Sequence, residues 1–377
     1  MKSSGRSECF WNKPYRFEST RAVDPLGFDA LREVMANVLA PLLSGATRHA
    51  EHYVAVVVGL RWAKGRADRS VDQDIWPLFA AFERGLKQYW HRHPCRPARR
   101  EYLGKRRIAA ICAGKHPDVQ APILQDQRGT GILGNYIASV RAIKLVRLGE
   151  LVIEGNAATQ LLGDPRFDWD GANPGSWTKL DSIFSSVDVR SAWPKLGCRL
   201  FQQSEVSEEG MRTHSSARAV SRRPTWGWSR LAGCRDLLEH QRRIAAATGA
   251  TTELENRLRG LFGELLAGSV PRPNHRTVRR LADIGQQLLN LGILEIVWPG
   301  QPALATAIRA GIERVARGLS AEALLEWHHE VVGARGTEPW IDKLGERSAL
   351  HLPQERGDPD FRLTNLRTLL QETQWSA

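Results

Sequence analysis

Apolar residues recur every three or four positions along several stretches of this chain, a spacing typical of amphipathic helices. Residues 28–43 place Phe28, Leu31 and Met35 on one stripe, and residues 74–91 show the same pattern. Between them, residues 49–64 contain the run YVAVVVGL, which is apolar on every side and also fits a buried strand. The pattern therefore predicts a helical N-terminal part with one ambiguous segment.

The C-terminal part shows the same helical spacing, with residues typical of helix starts and helix ends between its segments. Ser320 is a typical N-cap, and Gly318 and Gly333 are typical helix ends. Together the two parts predict a mainly α-helical fold. The predicted C-terminal helices cover residues 234–247, 252–267, 276–291, 302–318, 321–333 and 361–375.

Residues 200–232 break this pattern, because they lack apolar periodicity and are rich in Ser, Arg, Glu and Gly. Such a composition predicts an exposed polar connection between two halves. A chain of 377 residues also exceeds what one core comfortably holds. The predicted organisation is an N-terminal extension, a helical domain, the connection and a C-terminal helical domain, at residues 1–22, 23–199, 200–232 and 233–377.

Three glycines, Gly129, Gly131 and Gly134, form a G-x-G-x-x-G at the start of the segment ILGNYIASVRAIKLV. A dinucleotide-binding loop with this motif requires a buried strand immediately before it. The candidate strand, residues 121–124, is interrupted by Pro122 and is separated from the glycines by polar residues. The sequence therefore disfavours a dinucleotide site.

The residues around these glycines have the layout of a winged-helix module. A helix at residues 132–146 is followed by a strand-like LVIEG at residues 151–155 and by a helix that begins at Asn156. In this interpretation the module spans residues 128–162, and the glycines allow a sharp turn and close packing. A generic helical core with a β-turn is the alternative that the same residues allow.

The chain carries a formal net charge of +12, and arginines are concentrated in three clusters at residues 92–107, 212–224 and 272–280. The planar guanidinium group matches phosphate oxygens, so clustered arginines are typical of nucleic-acid binding. A solvated basic surface without any ligand is the alternative. We expect a nucleic acid, with DNA favoured, as the partner.

A winged helix that binds duplex DNA would place the helix at residues 132–146 in the major groove. Asn135 and Arg141 are the candidates for base contact, because Asn pairs bidentately with adenine and Arg with guanine. A protein–protein role is the alternative for such a module. The other expected DNA contacts are Ser139, on the same helix, and the phosphate-binding cations Arg128, Lys144, Arg147, Arg99, Arg100, Lys105, Arg106, Arg107, Arg276, Arg279 and Arg280.

Signatures of several common enzymes are absent from the sequence, which has no P-loop, no G-x-S-x-G and no H-E-x-x-H. A nuclease candidate remains in FDWDGANPGSWTKLD, where Asp168, Asp170 and Lys179 could hold Mg²⁺ and a phosphate group. The sequence does not otherwise predict a cofactor or a resident metal, so we lean toward a non-enzymatic protein.

The longest apolar run, residues 53–60, is far shorter than the ~20 residues that a membrane helix needs. The first residues also lack the apolar core of a secretory signal. We therefore expect a cytoplasmic protein without a membrane partner.

Residues 23–63, VDPLGFDALREVMANVLAPLLSGATRHAEHYVAVVVGLRWA, resemble the opening of a family of uncharacterised bacterial proteins with a domain of unknown function. In that family a D-P-L-G turn leads into two helices, and a GILG segment comes later. Glu51 and His52 stand here where the family has a basic position. The matching residues are Asp24, Pro25, Leu26, Gly27, Thr47, Arg48, Tyr53, Gly131, Ile132, Leu133 and Gly134.

The resemblance implies a genomic setting, because such proteins occur in mobile elements and antiviral defence clusters. With the charge pattern, it leads us to expect a non-enzymatic DNA-binding component of a bacterial antiviral defence or mobile-element system that acts with partner proteins. Two alternatives stay open. One is a metal-dependent nuclease subunit, and the other is a scaffold subunit that binds proteins without nucleic acid.

Overall fold

A computed structural model of the protein describes residues 24–44, 47–67, 75–115, 122–147, 151, 157–162, 189–202, 208–293, 301–350, 352 and 360–375. These residues are mainly α-helical and form no β-strand. The N-terminal helices are α1 (Phe28–Leu39), α2 (Ala50–Ala67), α3 (Ile75–Arg92), α4 (Lys105–Cys112), α5 (Gln127–Thr130), α6 (Ile132–Ala142) and α7 (Ala157–Leu162). They are followed by α8 (Val189–Gly197), α9 (Glu208–Arg222), α10 (Trp228–Leu231), α11 (Glu239–Leu266), α12 (His275–Asn290), α13 (Pro302–Arg317), α14 (Ala321–Ala334) and α15 (Phe361–Thr373).

The described residues divide into two compact units. The α12 unit lies within Met1–Leu31 and Thr251–Gly357, and the α2 unit lies within Arg32–Ala250 and Asp358–Ala377. The mainly α-helical fold expected from the sequence is confirmed. The boundaries between the units fall within α1, within α11 and ahead of α15, and none of them falls at residues 200–232.

In the α12 unit, successive helices pack side by side, α12 on α13 and α13 on α14. The D-P-L-G turn belongs to this unit. Asp24 Oδ2 accepts a hydrogen bond from the Arg335 guanidinium at 2.6 Å, and the Pro25 carbonyl lies 3.1 Å from His328 Nδ1. The turn is therefore held by side chains of α14 and of the residue that follows it.

Helix α2 is the centre of the α2 unit and packs against α3, α6, α8 and α15. Every residue from Ala50 to Leu60 is buried. A helix enclosed on all sides needs no polar face, which explains why its apolar run shows no helical stripe. The segment that the sequence left ambiguous is a helix.

The glycine motif forms a tight junction between α5 and α6. Glu83 of α3 places its carboxylate at the start of α6, where Oε1 accepts the Ile132 amide at 2.9 Å. A Cβ atom added to Gly131 would lie 2.7 Å from that carboxylate, and one added to Gly134 would lie 2.3 Å from the Arg128 carbonyl oxygen. Side chains larger than hydrogen do not fit there. The helix N-terminus that could bind a phosphate is thus occupied by a protein carboxylate.

Lys87, one turn further along α3, pairs with Glu83 at 2.5 Å, and both side chains are at most 2% exposed. Gln127 of α5 donates a further hydrogen bond to Glu83 Oε2 at 3.2 Å. Burying a charged pair is favourable only when the remaining polar atoms also find partners. The Glu83 carboxylate meets this condition and joins α3, α5 and α6 at one point.

The polar connection expected at residues 200–232 is largely helical where the structure describes it, which corrects the sequence interpretation. It contains the end of a π-helical turn, Cys198–Gln202, and helices α9 and α10. Helix α9 packs on α15 and buries Thr213, Ser216 and Ala217. Small side chains of this kind suit a close helix contact but leave no apolar stripe in the sequence.

Two helices expected at residues 234–247 and 252–267 are one helix, α11. Gly249 does not interrupt it. A Cβ atom on Gly249 would lie 2.5 Å from Cβ of Ser229, so the glycine allows close approach of α10 rather than a break. In the expected winged-helix region, the structure describes α5, α6 and α7, and the strand-like residues 152–155 lie outside the described residues.

The Glu83–Lys87 pair generates a stability prediction. The Glu83→Ala variant should lose about 3–5 kcal/mol of unfolding free energy, because the Lys87 charge stays buried without its partner. Urea denaturation followed by circular dichroism measures this loss. The double variant Glu83→Leu/Lys87→Met should lose less than Glu83→Ala.

The control is Glu253→Ala, which removes a partly exposed carboxylate from its arginine partners and should cost at most about 1 kcal/mol. Equal losses for Glu83→Ala and Glu253→Ala would contradict the buried-pair argument.

Candidate nucleic-acid interface

An open pocket of about 420 Å³ lies at the N-terminus of α2, entirely within the α2 unit. We call it the α2 pocket. Its volume falls in the range of pockets that hold small ligands. Its lining comes from the start of α2, from α3, from the segment before α4, and from the junction of α5 and α6. The lining residues are Arg48, His49, His52, Lys87, Arg100, Glu101, Tyr102, Leu103, Thr130, Ile132, Asn135 and Tyr136.

Two carboxylates hold the residues that lead into α2. Glu372 of α15 accepts the Ala50 amide at 2.6 Å and lies 2.7 Å from His49 Nδ1. Glu101 accepts a hydrogen bond from Arg48 at 2.6 Å and lies 3.4 Å from His49 Nε2. Partial burial alone would raise the pKa of Glu101, but the hydrogen bonds from Arg48 and His49 outweigh it and lower that pKa. Glu101 is therefore ionised at neutral pH.

The floor of the pocket is a neutral hydrogen-bonded chain. The Tyr136 hydroxyl oxygen accepts the amides of Arg48 and His49 at 3.0 and 3.2 Å, so its own proton points to His52 Nδ1 at 3.1 Å. His52 Nε2 must then carry the imidazole proton, which it donates to the Ala98 carbonyl at 3.0 Å. Burial, helped by the nearby His49, lowers the pKa of His52 to about 3. His52 is thus neutral and is not a charged ligand group.

The arginine-rich segment 92–107 contributes residues to this pocket. Its cations differ in whether they contact a carboxylate. Arg99 and Arg96 point inward to Glu51, with N–O distances of 2.6 and 3.6 Å. Arg99 is buried, which removes it from the expected DNA contacts. Arg107 is half-buried.

The outward group has no carboxylate partner among the described residues. It comprises Arg92, Arg100, Lys105 and Arg106, and we call these four residues the cationic face. All four are exposed. The one acid in the segment, Glu101, is already engaged by Arg48. The cationic face therefore retains its positive charge.

Lys105, Arg106 and Arg107 form the first turn of α4, which contains no acidic residue and has no side-chain cap. Cations at this end of a helix oppose the helix dipole and cost about 0.3–1 kcal/mol each. Gly104 precedes them with φ of 82°, and its neighbourhood is fixed by the apolar cluster of Ile108, Ile111 and Ile123. An unfavourable local arrangement on a well-packed helix is typical of a functional site.

Burial limits which of the residues expected on α6 can contact DNA. Ser139 is buried, and its hydroxyl lies 2.6 Å from that of Tyr53. Asn135 and Arg141 are half-buried, and Ala138 and Ala142 are the exposed positions of the helix. Ser139 is therefore not available to DNA, whereas a role of Asn135 and Arg141 in contacting bases stays a prediction.

The remaining expected contacts of the α2 unit lie around α6. Arg128 is exposed and stacks over the Trp76 ring at 4.9 Å. Lys144 and Arg147 are exposed beyond the end of α6.

The arginine cluster at residues 272–280 belongs to the α12 unit, at the start of α12. Arg280 is neutralised by Glu253, which it meets at 2.9 and 2.6 Å through Nε and Nη2. Arg276 and Arg279 are exposed and have no polar partner within the described residues. These two arginines form a second cationic surface, which belongs to the α12 unit.

The nuclease candidates Asp168, Asp170 and Lys179 lie outside the described residues. Within the part of the chain that the structure describes, no group of three or more His, Cys, Asp or Glu side chains could hold a metal ion. None of the described helices has the length and apolar character needed to cross a membrane.

No protein-family model, no curated protein and no solved structure matches this chain. The family resemblance therefore stays a prediction, and the site rests on its own geometry.

Four residues that line the α2 pocket were not among the site residues predicted from the sequence: His49, His52, Glu101 and Tyr136. A signal was present in the segment TRHAEH at residues 47–52, where polar residues lead into an apolar run and continue into the first turn of α2. The carboxylate partners come from residues 101 and 372, and their proximity could not be read from the sequence.

The neutral state of His52 generates a prediction about pH. Its folded-state pKa of about 3 lies well below the ordinary histidine pKa of about 6.5, so on acidification the unfolded chain binds a proton on this ring that the folded chain does not bind. The stabilisation is complete above pH 6.5 and is lost as pH falls toward 3. Between pH 7.5 and pH 5, His52 should account for a loss of about 2 kcal/mol in unfolding free energy.

Urea denaturation of the wild-type protein and of His52→Gln at both pH values measures this contribution. Other histidines contribute equally to both proteins and cancel in the difference. The same pH dependence in the two proteins would show that His52 is not held neutral.

Proposed function

We propose that this protein binds duplex DNA through the cationic face. The observation that carries the proposal is that the exposed cations Arg92, Arg100, Lys105 and Arg106 have no carboxylate partner among the described residues, while the nearby Glu101 is already engaged by Arg48. A phosphate backbone would neutralise these charges, and it would also complement the uncapped first turn of α4. Binding would thereby remove an electrostatic cost that the free protein carries.

The proposed activity is binding rather than catalysis. Contacts from side chains to phosphates fix position without reading sequence, so this surface supports DNA binding of low sequence preference. It does not depend on a winged helix, because the cations come from α3, α4 and the segment between them.

A second contact is proposed at Arg276 and Arg279 of the α12 unit. Their exposure and lack of acidic partners match the cationic face, whereas Arg280 beside them is neutralised by Glu253. Two surfaces on one chain would add their phosphate contacts and increase the dependence of affinity on salt.

The wider setting is also a proposal. The resemblance of residues 23–63 and 131–134 to proteins of mobile elements and antiviral defence clusters supports a role beside partner proteins in such a bacterial system. Co-purification with the products of neighbouring genes tests it.

Binding through phosphate contacts should make the affinity for DNA depend on salt concentration. The affinity for duplex DNA should fall steeply as NaCl rises from about 50 to 200 mM, and each phosphate contact should contribute about 0.9 to the slope of log K against log [salt]. The Lys105→Gln/Arg106→Gln variant should lower that slope by roughly 1.8. Fluorescence anisotropy titrations measure it.

The control variant, Arg309→Gln/Arg317→Gln, removes the same charge from two exposed arginines that share Glu313. It should leave the slope nearly unchanged. Binding that is absent or independent of salt in the wild-type protein would refute the proposal.

Arginines of the α12 unit with and without a carboxylate partner among the described residues should contribute differently to DNA binding. The Arg276→Gln/Arg279→Gln variant should lower the salt slope by roughly 1.8. Arg280→Gln should change it little, because Glu253 already neutralises that guanidinium. The same titrations test both variants, and a larger effect of Arg280→Gln would rule out this second surface.

A further inference from the structure

We propose that the α2 pocket binds one nucleotide, with its base on the floor of the pocket and its phosphate at Arg100 and Arg48. This inference rests on the proposed function, because it gives the cationic face a specific ligand element. The pocket could take the nucleotide from a strand or as a free molecule. The chemistry is the same in both cases, namely an aromatic base joined to a phosphate.

The floor suits a flat, uncharged body. Beside the neutral chain of Tyr136 and His52, the pocket lining includes the aromatic Tyr102 and the apolar Ile132. Burial keeps the pKa of Tyr136 well above its usual value, so the hydroxyl is neutral like the His52 ring beside it. Leu103 also lines the pocket and is 53% exposed, so its side chain is accessible to a ligand.

Two arginines that line the pocket, Arg100 and Arg48, have guanidinium N–H groups without a partner among the described residues. Arg100 donates from Nε to the Pro94 carbonyl at 2.7 Å, and its two terminal amino groups have no partner among the described residues. Arg48 uses Nε and Nη1 for Asn365 and Glu101, which leaves Nη2 for a ligand. Together they present planar donors suited to phosphate oxygens.

Asn135 provides the polar group for the base. Its Nδ2 donates one hydrogen bond to the Thr130 carbonyl at 2.9 Å, which holds the side chain in place. The second N–H of Nδ2 and the oxygen Oδ1 have no partner in the described part of the chain. An Asn side chain can pair bidentately with adenine, which offers a donor beside an acceptor. Adenine is therefore the base that we expect to fit.

The α2 pocket and the cationic face share a residue and are adjacent in the sequence. Arg100 belongs to both, and Leu103 is separated from Lys105 only by Gly104. A strand whose phosphates lie along the cationic face could place one unpaired base in the pocket. The energetic cost of unstacking is smallest for a base that has no partner.

The test uses the full-length protein and 2′-deoxyadenosine monophosphate as the probe, titrated by calorimetry beside inorganic phosphate. The nucleotide should bind about tenfold more tightly than phosphate, because the base adds apolar contact and the Asn135 pair. Arg100→Gln and Asn135→Leu should each weaken nucleotide binding about tenfold. Arg317→Gln removes the same charge as Arg100→Gln at an exposed position outside the pocket and outside both cationic surfaces, and it is the matched control, with nucleotide affinity unchanged.

Asn135→Leu also removes the bond to Thr130, so Leu103→Asp is included as a variant that disturbs no buried group. It places a negative charge on the exposed edge and should also weaken nucleotide binding about tenfold by repelling phosphate. Circular dichroism verifies the fold of each variant.

Two duplexes of equal length, one fully paired and one with a single unpaired adenine, identify the source of the nucleotide. Tighter binding of the second duplex by about tenfold, lost in Leu103→Asp, assigns the pocket to a strand. Equal binding of both duplexes, together with binding of the free nucleotide, assigns it to a free molecule.

Each proposal can fail separately. Normal duplex binding without nucleotide binding, or equal affinity for nucleotide and phosphate, overturns the pocket and leaves the proposed function standing. Nucleotide binding without duplex binding overturns the proposed function and keeps the pocket.

Discussion

The Glu83 carboxylate at the start of α6 is the interaction on which the α2 unit depends. It satisfies the Ile132 amide, pairs with Lys87 and accepts from Gln127, so that one buried charge fixes three helices. Since a helix N-terminus favours an anion, the arrangement uses the same physics as a phosphate loop. Here the anion is part of the protein, and the helix end is therefore not available to a ligand.

Pairing with a carboxylate also distinguishes the arginines that stabilise the fold from those for which we propose DNA binding. Arg99 and Arg280 both belong to arginine-rich runs, yet Glu51 and Glu253 neutralise them. Their neighbours Arg100 and Arg279 have no such carboxylate among the described residues. The net charge of +12 shows only that basic residues outnumber acidic ones. The structure shows which of the described basic residues lie next to a carboxylate.

The sequence predicted the helices well where one face is apolar and another is polar. The stripe of α1 and the N-cap of α14 are examples, and the Ala323 amide does donate to Ser320 Oγ at 3.1 Å. It failed where burial removes that contrast. Helix α2 has no polar face, and α9 buries threonine and serine, so neither shows the usual periodicity.

The candidate site was only partly predictable. Arg100, Lys105, Arg106 and Asn135 could be selected from composition and residue chemistry. The α2 pocket, in contrast, combines residues from positions 48 to 136, and its supporting carboxylates depend on tertiary contacts. Burial also decided the roles of Ser139 and Arg99, because a polar side chain with an internal partner looks the same in sequence as a free one.

The carboxylate of Glu372 forms a hydrogen bond with a residue that the ribosome synthesises much earlier. It accepts the Ala50 amide, 322 positions earlier in the sequence, and residues 251–357 of the α12 unit are translated between the two. During synthesis the first turn of α2 therefore emerges long before its acceptor does. The α2 pocket can take its final form only after the ribosome has passed the whole of that intervening segment.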